Sequence, residues 1–137
     1  MIFLDTNVVS ETLKKQPSEA VISWLIRHDA ELALSSVVIG EVAYGIAKIR
    51  DDERAPRLER ALDDWRDRFA GRIHGFDEAA ALTYGAIMSD ARRRGRGMSV
   101  PDGMIAAIAR TKGAALATRN VVDFQNCGID LINPWDF

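Results

Sequence analysis

Several short apolar runs, closed by polar turn formers and separated by segments of helical period, restrict this chain to an alternating α/β fold. Residues 1–5 (Met-Ile-Phe-Leu-Asp) form the first run, followed directly by Thr6 and Asn7. Later runs are Glu31–Ser35, Ala114–Thr118 and Ile129–Ile132. Apolar runs this short, bounded by turn residues, read as buried strands. The spacers read as helices. One spans Val8 to about Lys15, and Pro17 and Ser18 restart the chain into another with Val21, Trp24, Leu25 and His28 on one face. Ser35 or Ser36 caps a third, running to about Arg50. Leu58, Ala61, Leu62, Trp65 and Phe69 form the apolar stripe of a fourth, ended by Gly71. Arg72–Phe76 reads as an extended link. Asp77 caps a fifth helix, whose Ala80, Ala81, Tyr84, Ile87, Met88 and Ala91 face the core. A sixth opens at Ser99–Pro101 and is apolar through Ala109. Strands alternating with helices predict a parallel sheet covered on both faces.

The chain has 137 residues, 47% of them hydrophobic, enough to bury the core of a single domain over residues 1–137. No apolar stretch approaches the ~20 residues of a membrane span, and no secretory signal is expected. Cys127 is the only cysteine, so no internal disulfide can form, which suits a cytoplasmic protein. The net charge of −2 excludes a general electrostatic affinity for nucleic acid; any such contact must be local. Arg92, Arg93, Arg94 and Arg96 form the one cluster of basic residues in the sequence. At a helix end they read either as partners of the helix dipole or as contacts to backbone phosphates.

Three acids stand out because their neighbours are apolar. Asp5 ends the first strand, where the crevice of an open α/β sheet receives ligands; equally, Asp5 or Asn7 could cap the next helix. Glu41 lies among Val37, Val38, Tyr44 and Gly45 on its helix surface. Asp102 opens the sixth helix, whose apolar composition predicts burial. An unpaired buried charge is costly, so each needs a partner. The helix after a strand starts at the sheet's carboxyl edge, which places Asp5, Glu41 and the Thr118-Arg119-Asn120 turn together. The strand before Asp102 is not evident. Converging carboxylates need a cation. Hard oxygen donors without a Cys or His cluster point to Mg²⁺ or Mn²⁺, and no Ser/His or Cys/His pair offers a side-chain nucleophile.

Phe3-Leu4-Asp5-Thr6-Asn7, Ser35-Ser36 to Glu41, Asp102-Gly103-Met104-Ile105-Ala106-Ala107, Ala117-Thr118-Arg119-Asn120 to Phe124, and Asn133-Pro134-Trp135 together resemble the PIN-domain family. Within it they are most similar to the VapC and FitB type of toxin ribonucleases. The resemblance covers the whole chain and implies a three-layer α/β/α sandwich around a central parallel sheet. It implies a metal-dependent endoribonuclease with Asp5, Glu41 and Asp102 as the acidic cluster, Asp5 and Asp102 foremost in metal contact, and Thr6 and Thr118 as supporting hydroxyls. The family often carries a fourth acid where this chain has Asn120; Asp123 is the candidate to replace it. It also implies a small cognate antitoxin with a DNA-binding half, a homodimeric toxin and larger assemblies with antitoxin. Two other readings compete. One is a PIN-like module with a weakened site that mainly holds antitoxin or RNA. The other is a phosphatase of the haloacid-dehalogenase type, which needs an Asp where the chain has Asn7.

Overall fold

The computed structural model describes residues 1–137. Its elements are β1 (Ile2–Leu4), α1 (Thr6–Thr12), α2 (Glu19–His28), β2 (Leu32–Ser35), α3 (Ser36–Lys48), α4 (Ala55–Arg68), β3 (Ile73–His74), α5 (Glu78–Arg93), α6 (Val100–Thr111), β4 (Ala115–Ala117) and β5 (Leu131–Ile132). Short 3₁₀ turns occupy Asp29–Glu31, Val121–Phe124 and Pro134–Asp136. All five strands are parallel, in the order β3-β2-β1-β4-β5. The helices flank this sheet, giving the expected α/β/α sandwich.

The strand order creates the site. The chain leaves β1 toward β2 on one side, and β4 pairs on the other. β1 and β4 therefore meet at the topological switch point, where connections depart in opposite directions and a crevice opens at the carboxyl edge. The register sets Leu4 beside Ala117, so Asp5 and Thr118, one step further along each strand, emerge side by side. The strands carry an apolar run because both faces are covered: Ile2, Phe3, Leu4, Leu32, Ala33, Leu34, Leu116 and Ala117 are all buried.

Local chemistry fixes the helix starts. The hydroxyls of Ser18, Ser35 and Ser99 accept from the amides of Val21, Val38 and Asp102, and the Asp77 carboxylate accepts from Ala80. Each satisfies an amide that the first turn would otherwise leave unpaired. Asp5 likewise accepts from the Thr6 amide, so α1 begins at Thr6, two residues before the position expected from Val8.

The Arg72–Phe76 link contains an edge strand, β3, paired to β2 through Leu34–Ile73 and Ser35–His74. His74 stands edge-on to Phe3, with ring centroids 5.3 Å apart. α4 ends at Arg68, and Gly71 serves the turn beyond it at φ +83. On α5, Ala80, Ile87 and Ala91 are buried and Tyr84 and Met88 half-buried, but Ala81 is exposed, contrary to the expected face. The α5 stripe is narrowed because its main partner is another helix, α6. The two pack so closely that a Cβ on Gly103 would lie 2.5 Å from the Met88 sulfur and 3.0 Å from the Tyr84 ring. α6 fulfils its expected burial, with Ile105 to Ala109 all inside. His28 stacks on Trp24 at 4.6 Å and sets Nδ1 2.9 Å from the Trp24 carbonyl.

Candidate active site

Two turns of similar sequence, Asp5-Thr6-Asn7 after β1 and Thr118-Arg119-Asn120 after β4, interlock at the switch point. The Thr118 hydroxyl donates to Asp5 Oδ2 at 2.8 Å. It accepts from the Asn120 amide at 3.0 Å and from Asn7 Nδ2 at 3.4 Å, which uses the single proton and both lone pairs of the hydroxyl. Asn7 Nδ2 also donates to Asp5 Oδ2 at 3.2 Å, and Asn7 Oδ1 accepts from the Arg119 amide at 3.3 Å. Asp5 and Thr118 are buried, at 4% and 0% exposure. Asp5 is thus a helix cap whose carboxylate is also held inside the crevice.

Glu41 enters from α3, six residues into the helix. It is half-buried, and its Oε1 accepts from the Thr6 hydroxyl at 2.5 Å. Of the neighbours expected around it, Val38 is buried, but Tyr44 points to solvent at 66% exposure, with Lys48 over its ring. Glu41 therefore sits on the border of the apolar face. Asp102 reaches the same edge because α6 runs back antiparallel to β4, and the start of a helix that precedes a strand lies at that strand's carboxyl end. No strand before Asp102 is needed; the strand after it places the residue.

The electrostatics identify the group as one field. Burial raises the Asp5 carboxyl to about 6, opposed by the Thr118 and Thr6 hydrogen bonds and reinforced by the negative charges of Asp102 and Glu41. Burial also raises Asp102, with Ser99 opposing and with Glu41 and Asp123 adding repulsion. Like charges close enough to perturb one another mark a place where a cation or a proton is stabilised. No three of the acids close on one point at ligating distance. Mg²⁺ does not require that: it is commonly held by one or two carboxylates and keeps waters and phosphate oxygens for its other positions. The donor set of hard oxygens fits such an ion.

The structure separates the remaining expected residues. Asn120 contributes its backbone amide to Thr118, while its side chain is exposed. Asp123, in the 3₁₀ turn that follows, lines a recess of about 220 Å³ together with Asp102 and Arg96. Of the basic cluster, Arg96 reaches this recess. Arg94 binds the Asn126 carbonyl at 3.2 Å, Arg93 lies 3.8 Å from Asp90, and Arg92 is exposed. Asn7 does not stand out in the sequence as a site residue, although the repeated turn pattern is the signal that could have found it. Cys127 is buried against the Met98 sulfur, and burial pushes its thiol up, which suits a packing role and not a nucleophile.

A five-stranded parallel sheet in this order, with interlocked Asp and Thr turns and acids brought to its carboxyl edge from α3 and α6, defines an acidic crevice at the switch point. Comparison with known proteins agrees. The PIN domain family model matches residues 2–126. The VapC ribonuclease Y4jK of Sinorhizobium fredii is 36% identical over 138 residues, covering 99% of both chains. Toxin FitB of Neisseria gonorrhoeae is 38% identical over 137 residues, covering 98% of this chain and 99% of its own. The structure of FitAB bound to an IR36 DNA fragment superposes with a TM-score of 0.90 at 38% identity, over 98% of this chain and 96% of that one. The chain belongs to the PIN-domain family.

Proposed function

We propose that this protein is the toxin of a toxin–antitoxin pair, a single-domain endoribonuclease dependent on Mg²⁺ or Mn²⁺ that hydrolyses RNA phosphodiester bonds. The observation that carries the reading is the buried Asp5 carboxylate, held by Thr118, Asn7 and the Thr6 amide at the carboxyl edge of the sheet, with Glu41 bonded to the Thr6 hydroxyl beside it and Asp102 close enough to repel it. Asp5 and Asp102 would hold the metal, with Glu41 and Asp123 beside them. When bound, the ion supplies Lewis-acid polarisation of the phosphate and activation of the attacking water.

The chain's own residues prepare that chemistry. Thr118 and Asn7 fix one Asp5 oxygen and the Thr6 amide fixes the other, so the carboxylate cannot rotate away. Thr6 holds Glu41 by donating its hydroxyl to Oε1; the second Glu41 oxygen, which accepts no hydrogen bond within the chain, is placed to orient a water or accept its proton. Asp123 supplies the fourth acid in place of Asn120. Asn7 leaves no second acid two positions after Asp5, which removes the aspartyl-phosphate reading. The relatives named as a VapC ribonuclease and as toxin FitB support the reaction class and the biological class.

The partner would be a small antitoxin with a DNA-binding half, in keeping with the FitAB–DNA complex. An acidic crevice suits an inserted antitoxin Arg, which pairs bidentately with carboxylates. The toxin itself would be a homodimer, as the resemblance to the FitB and VapC type implies. No helix is long and apolar enough to cross a membrane, and we place the protein in the cytoplasm. Incubation of the purified protein with single-stranded RNA tests the activity: cleavage in Mg²⁺ or Mn²⁺ that stops in EDTA is expected, and cleavage persisting in EDTA refutes it.

A further inference from the structure

A large recess borders the acid cluster at Glu41 alone. It is a cleft of about 510 Å³ between the end of α1, the middle of α3 and the start of α4. Its walls carry Lys14, Lys15, Arg54 and Arg57, together with Ser10 and Glu41. Four cations in one recess contrast with a chain whose net charge is −2. They are unevenly engaged. Lys14 pairs with Glu11 at 2.8 Å and Arg54 with Asp52 at 2.9 Å. Arg57 donates to the Leu13 carbonyl at 3.2 Å, and neither it nor Lys15 has a carboxylate within ion-pair distance. In a separate recess, Arg96 lies with Asp102 and Asp123 without pairing with either.

The acids are therefore accompanied by cations in two separate recesses, at Glu41 and at Asp102 with Asp123. A polyanion drawn to the acids must be held by cations elsewhere, because the carboxylates repel its phosphates. We infer that the cleft is the track of a single RNA strand, with Lys15 and Arg57 on backbone phosphates to one side of the scissile bond and Arg96 on a phosphate to the other. The cleft is too small for a duplex, and strands whose bases are unstacked are the form of RNA that such recesses accept. Contacts of this kind position the backbone and add no base preference. The inference rests on the ribonuclease reading for its substrate but uses residues outside the acid cluster.

Binding of a fluorescein-labelled, mixed-sequence single-stranded RNA to Asp102→Asn protein in Mg²⁺, followed by anisotropy across a KCl series, tests it without cleavage. Removing one cation from a backbone phosphate should lower the slope of log K against log salt by about 0.7. Lys15→Gln breaks no hydrogen bond or ion pair within the chain and should lower it by about that much. The double variant Lys15→Gln/Arg57→Gln should lower it by about twice as much and, with Asp102 restored, raise KM with kcat unchanged. Thermal unfolding of each variant guards against loss of fold. Unchanged affinity and slope in Lys15→Gln would overturn the proposal, as would variants that bind RNA normally but lose affinity for the antitoxin. Absence of RNA cleavage by the wild type would refute the nuclease reading, while the anisotropy series still decides whether the cleft holds RNA.

Discussion

The Thr118 hydroxyl donates to Asp5 Oδ2 at 2.8 Å, joining residues 113 positions apart across the junction of β1 and β4. This bond opposes the effect of burial on Asp5 and ties the two turns of the crevice into one unit. Thr118→Val keeps the shape and removes the proton donor. Partners that orient a metal ligand are typically worth 10–100-fold in metal affinity or activity, so RNA cleavage should fall by about that factor. Thr118→Ser should restore most of it, and a kinetic comparison of the three proteins checks this.

Asp5→Asn should abolish cleavage and yet stabilise the metal-free protein at neutral pH. The folded carboxyl is raised from 3.8 to about 6. Its stabilising contribution is therefore complete below 3.8, falls as pH rises toward 6, and is gone above. Two units correspond to about 3 kcal/mol. The variant's one side-chain oxygen keeps the Thr6 amide while its NH2 replaces Oδ2, forgoing the Thr118 and Asn7 bonds at about 1 kcal/mol each, which leaves a gain of about 1 kcal/mol. Denaturant melts of both proteins at pH 5 and pH 8 in EDTA should show the difference growing with pH.

Glu11 shows the opposite sign. It is buried at 5% exposure, accepts from the Ser18 amide at 2.9 Å and pairs with Lys14. The Lys14 and Ser18 bonds hold its carboxyl below the usual range. A depressed carboxyl stabilises the fold above its unfolded pKa and loses that contribution as pH falls through the folded value. Glu11→Ala, which orphans the Ser18 amide, should cost about 1–3 kcal/mol at pH 7, with the gap to wild type narrowing below pH 4 in acid melts.

Gly103 sets how closely α6 approaches α5, and so where Asp102 stands. Valine there must displace Met88 and Tyr84, an overpacking that typically costs 1–3 kcal/mol. Because the displaced helix carries Asp102, activity should fall further than the reduced stability explains. Cleavage assayed well below the melting temperature separates the two effects.

The sheet was legible because β1, β2 and β4 are buried on both faces and so show as apolar runs. β3 was not: two residues long and at the sheet edge, Ile73–His74 is a strand only through pairing with β2. Asp5 could be found because a strand ends at it. Asp102 could be named from its apolar neighbours, though its place depends on α6 running back along β4. Asn7 was hidden, since an Asn after an Asp reads as a turn former and its partners Thr118 and Arg119 lie more than a hundred residues away. The basic residues divide the same way. Arg92 to Arg96 cluster in sequence, but only Arg94 and Arg96 line a recess with Asp123 and only Arg96 one with Asp102, whereas Lys15 and Arg57 are distant in sequence and share one cleft.

The central claim, that Asp5 and Asp102 together hold the catalytic metal, is tested most directly by calorimetric titration of Mn²⁺ into the wild type, Asp5→Asn and Asp102→Asn. Saturable binding by the wild type is expected, stronger at pH 7.5 than at pH 5.5 because Asp5 must ionise, with binding abolished in both variants. Wild-type affinity retained in either variant, or no binding by the wild type, would contradict the account.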